Sequence, residues 1–240
     1  MDAERVRISR TNLLLAALPS EGFALLKPHL REAELEQGSV LQEQGERIEQ
    51  VYFPNDGIIS SMTVLRQGIA IETAAIGREG VFGGWAGLGP RRSDTRAVVQ
   101  IAGSAWRIAA AQFRAAVRKS DAVRELILMS GEMLLIQVQQ TAACNALHDV
   151  ESRLSRWLLE AGDRLGGDNI QLTHEFLSQM LGVRRTTVTV VANILQRAGL
   201  IRYQRGNIKI VDRRGLEARA CECYEAVRRN MARIGPAAES

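Results

Sequence analysis

Arg185, Thr186, Thr189 and Asn193 have the residue types and the spacing to read a nucleic acid. On a helix beginning near Arg185 they share one side, while Val188, Val191 and Leu195 follow the i, i+3, i+7 rule and face a core. The chemistry would be base-edge recognition in a major groove about 12 Å wide, where Arg donates two hydrogen bonds to guanine, Asn pairs with adenine and a Thr methyl meets thymine. Arg184 precedes this face, and Thr173 stands where an N-cap for a preceding helix is needed. Arg202, Arg205 and Lys209 follow and would meet phosphates, which supply affinity and salt dependence but carry no sequence information.

Other chemistries are poorly served. The histidines are His29, His148 and His174, and no Ser–His–Asp set or phosphate-cradling GxxxxGK occurs. A small-barrel metalloenzyme, the main reading from another class, needs His and carboxylate ligands inside the barrel, so the chain is expected not to be an enzyme. Cys144, Cys221 and Cys223 are three in number and lack CxxC spacing. Neither a disulfide framework nor a four-thiolate site can be built from them, and they are expected to be reduced thiols without a metal.

The reading helix needs a scaffold. Thr173 with Glu175 opens a helix over HEFLSQML, Gly182-Val183 turn the chain, and the second helix runs to about Ala198, with Gly199 as its stop. LIRYQRGNIKIVD alternates on both sides of Arg205-Gly206-Asn207, a hairpin signal. Helix, turn, helix and hairpin make a winged helix-turn-helix. It follows the helix RLSRWLLEAG, a loop from Gly166 to Asn169 and the strand-like IQL.

Upstream the texture differs. Residues 11–30 predict a short helical opening broken at Pro19 and Pro28. From Ala33 to Ile108, short alternating stretches are punctuated by glycines, which predicts a compact antiparallel roll. From Ala109 the period becomes helical. A seven-residue repeat places Leu126, Met133, Gln140 and Leu147 in one row and Met129, Ile136, Ala143 and Val150 in another, which fits the a and d positions of a dimer seam, the preferred reading, the alternative being a stripe packed on the chain's own roll. Such a helix of roughly 30 residues would extend about 45 Å, longer than a small roll requires.

The expected class is α+β: a jelly-roll-like β-roll domain over residues 1–120, a dimerisation helix over 121–150 and a winged helix over 151–240. Formal net charge is +4, yet residues 171–214 carry eight Lys or Arg against Glu175 and Asp212, so the remainder sums to −2. A basic module on a slightly acidic body points to a polyanionic partner for the C-terminal part. The apolar run Leu13–Leu18, between Arg10 and Pro19, is too short for a signal core or a membrane span, and a cytoplasmic protein with no membrane partner is expected.

With the turns YFPNDG and IGREGVFG, the long helix, RLSRWLL and LSQMLGVRRTTVTVVANILQRAGLI, the sequence resembles the Crp/Fnr superfamily of bacterial transcription regulators along essentially its whole length. The resemblance implies a cyclic-nucleotide-binding-like roll, a homodimer on paired half-sites of double-stranded DNA about 34 Å apart, and RNA polymerase as a partner. It implies guanine reading by Arg185, with Thr187-Val188 as helix framework. Thr186 stands where a Glu is usual, Val190 where a second Arg is, and Arg184 where a Ser cap is, so an operator unlike the common one is expected. Setting Gly84-Trp85-Ala86-Gly87 on the family's nucleotide cassette puts Trp85 in place of the ribose-holding Glu and Thr95 in place of the phosphate-holding Arg. Arg96 could supply the cation after a one-residue shift, and Glu79 lies upstream. The effector candidates are therefore Gly84, Trp85, Gly87, Thr95 and Arg96, for a small molecule other than cyclic AMP. The iron–sulfur and haem branches are disfavoured, because no cysteine precedes Cys144 and no histidine lies in the roll. An effector-free roll acting through a protein partner is the alternative.

Overall fold

The computed structural model describes residues 12–89 and 92–231. Thr11, where the expected helical opening starts, and Arg10, the flank of the apolar run, lie outside them. Two short helices, α1 (Leu13–Ala17) and α2 (Ser20–Leu26), open the chain. Asn12 anchors them: its side-chain oxygen accepts from Leu15 N while Nδ2 donates to the carbonyls of Pro54 and Gly80. A fully buried amide is tolerated there because its hydrogen bonds are made.

Seven strands form the roll: β1 (Arg31–Leu35), β2 (Val40–Gln42), β3 (Gln50–Pro54), β4 (Ile58–Val64), β5 (Ala70–Ile76), β6 (Arg96–Ile101) and β7 (Gly103–Ala109). They pair antiparallel in two sheets, ordered β1-β7-β3 and β2-β6-β4-β5. Leu35, Ile59, Ile76 and Val99 fill the space between them. Val51 and Phe53 turn to a second core made with α1 and α2.

After α3 (Ala110–Lys119) the backbone breaks at Ser120, whose hydroxyl caps α4 (Asp121–Leu147) by accepting from Val123 N. This long helix lies on the roll, and its packing corrects the expected seam. Leu126 and Met133 are buried in the chain's own core beside Ile127, and Met129 packs on the same cluster. Gln140 is half-buried and donates to Cys223 Sγ at 2.9 Å. The roll uses the first half of the apolar stripe; of its second half Ile136 is half-buried and Ala143 exposed. The face left to solvent is displaced by two positions: Leu128 is 51% exposed and Leu135 56%, with Ala142 and Ala146 exposed further along and Leu147 80% exposed at the end.

The remaining elements build the winged helix. They are α5 (Val150–Leu165), β8 (Asn169–Gln171), α6 (His174–Leu181), α7 (Arg185–Arg197), β9 (Ile201–Gln204), β10 (Asn207–Ile210), α8 (Arg213–Arg219) and α9 (Cys223–Met231), with strand order β8-β10-β9. Asp149 caps α5 by accepting from Ser152 N, and Gly166 ends it at φ 66°. The core of this unit, including Leu154, Leu158, Leu177, Val188 and Leu195, is continuous with Ile58, Ala75 and Ile101 of the roll. The two units therefore share a packed interface.

Buried charge lies in that interface. Arg164 Nε contacts Glu79 Oε1 at 2.8 Å, its Nη1 lies 3.4 Å from Glu160, and Arg156 holds the other oxygen of Glu160 at 2.8 Å. Beside them Glu72 accepts from Ser60 Oγ at 2.6 Å and Gln100 Nε2 at 2.7 Å. Complete burial pushes the Glu72 carboxyl above its ordinary range, because desolvation outweighs these bonds and the nearby Arg164 charge. No helix among the described residues is long and apolar enough to cross a membrane.

Candidate nucleic-acid interface and effector cavity

The helix-turn-helix forms where its signals lie. Thr173 Oγ1 accepts from Phe176 N, and Gly182, at φ 62°, closes α6 in the left-handed conformation that favours glycine. Arg184 takes the N-cap position of α7 with extended backbone and no side-chain cap, as its chemistry requires, and leaves its guanidinium in solvent. Val188, Val191 and Leu195 are buried; Arg185, Thr186, Thr189 and Asn193 are exposed together on the opposite side.

The hairpin turns through Arg205 and Gly206 at φ 47° and 79°, the left-handed pair of a two-residue type I′ connection. Arg202, Arg205 and Lys209 are exposed on it. Gln196 Oε1 accepts from Tyr203 N at 2.7 Å, and the Tyr203 ring stacks on His174 at 4.3 Å, so wing and reading helix are held in fixed relation. None of Arg184, Arg185, Arg202, Arg205 and Lys209 is ion-paired among the described residues, whereas neighbouring Arg213 is bound to Asp163. The basic face is thus free for phosphates.

Thr189 turns its hydroxyl back into the protein. Its hydroxyl lies 3.0 Å from His174 Nδ1 and 3.1 Å from the Arg185 carbonyl. Burial, then the Arg185 charge, lowers the His174 pKa, so the ring is neutral near pH 7. With Nδ1–H donating to Thr189 and Thr189 donating to Arg185 O, the hydroxyl is engaged and the methyl remains for a base. Val190, which stands where the family has a second Arg, and Ile194, which sequence reasoning passed over, are exposed on the same helix. Apolar residues outside the i, i+3, i+7 core stripe were the available signal.

The effector candidates divide. Gly84, Trp85 and Thr95 line a cavity of about 430 Å3 between the roll and α4, together with Ser61, Thr73 and Leu134. The Trp85 ring lies directly over Gly131 of α4, where a methyl group would overlap it. Thr95 Oγ1 accepts from Ser61 Oγ at 3.1 Å. Gly87 is packed against Val117, Ile127 and Phe113 and does not line the cavity. Arg96 is also corrected. It lies beside its β4 partner Met62, away from the cavity that Ser61 and Thr95 line, and binds Glu43 through two bonds of 2.8 and 2.6 Å. Glu79 is held by Arg164. Among the described residues the charged groups at the cavity are Arg92, which donates to Gly45 O, and Asp94.

A third cluster was not foreseen. Cys144, His148, Cys221 and Cys223 put their ligand atoms within 4.8 Å of one another. Counting cysteines and seeking CxxC pairs missed it, because a histidine completes the set and a tertiary contact across 77 residues assembles it. The Cys144 thiol is lowered to about 5, first by its hydrogen bond with Cys221 and then by the Arg156 charge; Cys221 is correspondingly raised.

A roll packed against a long helix, followed by a winged helix with a bare basic face, is the architecture of a Crp/Fnr-type transcription regulator. The comparisons agree. The cyclic nucleotide-binding domain matches residues 32–120 and the Crp-like helix-turn-helix domain matches residues 152–219. The chain belongs to the Crp/Fnr superfamily of transcription regulators. Among solved structures it is similar to FixK2 from Bradyrhizobium japonicum, with a TM-score of 0.69, 18% identity and coverage of 80% of this chain and 98% of that one. The c-di-GMP-responsive regulator CLP of Xanthomonas campestris gives 0.65, 14%, 80% and 99%. A CooA mutant from Carboxydothermus hydrogenoformans gives 0.62, 17%, 89% and 98%. At these identities the likeness is one of fold. No curated protein sequence matches the chain.

Proposed function

We propose that this protein is a sequence-specific DNA-binding transcription regulator that engages paired half-sites as a homodimer. The observation that carries this reading is the exposed polar side of α7, with Arg185, Thr186 and Asn193 unobstructed and Arg202, Arg205 and Lys209 beside it on the wing. The seam is the outer stripe of α4, Leu128, Leu135 and Ala142 with Leu147 at its end, whose leucines are exposed among the described residues. The domain division at residues 120 and 150 follows from this role for α4. RNA polymerase is the further partner that such a regulator requires.

The cavity is the effector site in this reading. Its hydroxyls and apolar walls suit an uncharged or weakly polar small molecule: among the described residues the cation at its wall is Arg92, which donates to the Gly45 carbonyl and shares the lining with Asp94, whereas a buried phosphate needs a dedicated cation. A ligand there would touch both the roll and Ser130, Gly131 and Leu134 of α4. It could then bias how the two winged helices are presented, by differential affinity for two arrangements. Selection from a pool of random duplexes tests the reading: recovery of a two-fold symmetric site, bound more weakly as salt rises, is expected. Recovery of no common sequence refutes it.

A further inference from the structure

Cys144 stands in the last turn of α4 and His148 caps that helix four residues on, so both side chains leave the same face. Cys221 lies in the connection between α8 and α9, and Cys223 begins α9, which packs against α4 and α5. That packing brings the chain's three thiols to one histidine. Cys144 Sγ and Cys221 Sγ are 3.5 Å apart, and Cys223 Sγ is 3.6 Å from His148 Nδ1. The cysteines are buried and the histidine half-buried. Zinc bonds of about 2.3 Å to sulfur and about 2.0–2.1 Å to nitrogen, set tetrahedrally, require edges of about 3.8 Å between sulfurs and about 3.6 Å from sulfur to nitrogen. Two of the six edges are close to those of such a tetrahedron, and all four ligand atoms lie within 4.8 Å of one another, so shifts of about 1 Å or less close the site.

The surroundings fit as well. His148 Nε2 lies 3.2 Å from Glu222 Oε2, which orients the ring and leaves Nδ1 as the free lone pair. Gln140 Nε2 donates to Cys223 Sγ. Arg153 and Arg156, on α5, lie within electrostatic reach of Cys144 and Cys221, and both carry a buried Nε with no partner. These cations would offset the net negative charge of three thiolates on a divalent ion.

We propose that Cys144, His148, Cys221 and Cys223 form a closed Cys3His site for one zinc(II) ion, which ties the head of α9 to the end of α4. Binding takes all three cysteines as thiolates, with the protons still held on sulfur going to solvent and no redox change. A Cys144–Cys221 disulfide would need the sulfurs to close from 3.5 Å to about 2.05 Å and would use neither Cys223 nor His148. An iron–sulfur cluster spreads its ligands over at least two irons, farther than this set extends. The ion would brace the joint at His148-Asp149, from which α5 and the winged helix depart. That consequence rests on the DNA-binding reading; the metal site does not.

The test uses the full chain, purified untagged under reducing conditions without chelator, and involves no DNA. Elemental analysis is expected to find one zinc per chain. Cobalt(II) added to demetallated protein is expected to give the near-ultraviolet thiolate charge-transfer and intense visible bands of a tetrahedral site. Cys144→Ser and Cys223→Ser should abolish these bands. Glu222→Ala, at an exposed side chain that leaves every ligand in place, should weaken cobalt binding by about tenfold or more. Absence of the cobalt bands in the unmutated chain overturns the proposal, as does a Cys144–Cys221 disulfide that persists under reductant. Equal metal binding by the Ser variants would show adventitious metal and overturn it too.

Discussion

Replacing Arg164 by Met should uncouple the winged helix from the roll. The Arg164 side chain is only 1% exposed, and its guanidinium lies against Glu79 and Glu160. Met keeps the hydrocarbon stem and removes the charge. Glu160 would retain Arg156 at 2.8 Å, but Glu79 would retain only the Gly77 amide, at 3.2 Å. The loss is therefore one uncompensated buried carboxylate. Breaking a buried pair from one side costs about 3–5 kcal/mol, a large part of the roughly 5–15 kcal/mol that stabilises a typical domain. Urea unfolding at neutral pH should show the midpoint falling accordingly. Arg164→Met combined with Glu79→Gln should recover most of the loss, because the second change removes the stranded charge. A cost below about 1 kcal/mol for Arg164→Met alone would show that water reaches the pair, and would refute the tightly packed interface described above.

Three further outcomes follow from the same contacts. Leu128→Glu with Leu135→Glu should give a monomer by sedimentation velocity, because two leucines worth about 1.5–3 kcal/mol each are lost from both sides of the seam; Leu126→Ala should instead lower stability by about 2–5 kcal/mol and leave the dimer intact. Glu72→Gln should stabilise the protein increasingly as pH rises from about 4.5 to neutrality. The raised folded-state pKa makes native Glu72 a liability once the unfolded chain ionises, and a gain in thermal midpoint that is the same at pH 4 and pH 7 would contradict this. Cyclic AMP should bind about two to four orders of magnitude more weakly than to a site with both a phosphate cation and a ribose carboxylate, at about 1.5–3 kcal/mol per missing bond. A micromolar dissociation constant by calorimetry would be inconsistent with Arg96 being held by Glu43.

Local signals carried much of this fold. Thr173, Gly182 and the alternation around Arg205-Gly206 each act through their own backbone, so the helix-turn-helix and its hairpin were legible to within a residue. The long helix was legible as a helix but not as a surface. A heptad row is apolar for any partner, and only the folded chain shows that Leu126 and Met133 serve the roll while Leu128 and Leu135 remain outside. Arg96 was misplaced by setting it on a loop that could slip; as the first residue of β6 it is fixed beside Met62 of β4. The Cys–His cluster was beyond spacing rules, since the contact between α9 and α4 that assembles it leaves no periodic mark.

The most direct measurement of the central claim compares Arg185→Ala and Lys209→Ala in binding titrations on a selected operator, its single-mismatch variants and random DNA. Both side chains are exposed and unpaired, so neither change should disturb the fold. Arg185→Ala should cost about 1–3 kcal/mol on the operator and abolish discrimination at one base position per half-site. Lys209→Ala should weaken all sequences alike and reduce the salt slope by about one. If Arg185→Ala instead lowers binding to operator and random DNA by the same factor, then α7 does not read the groove and the account fails.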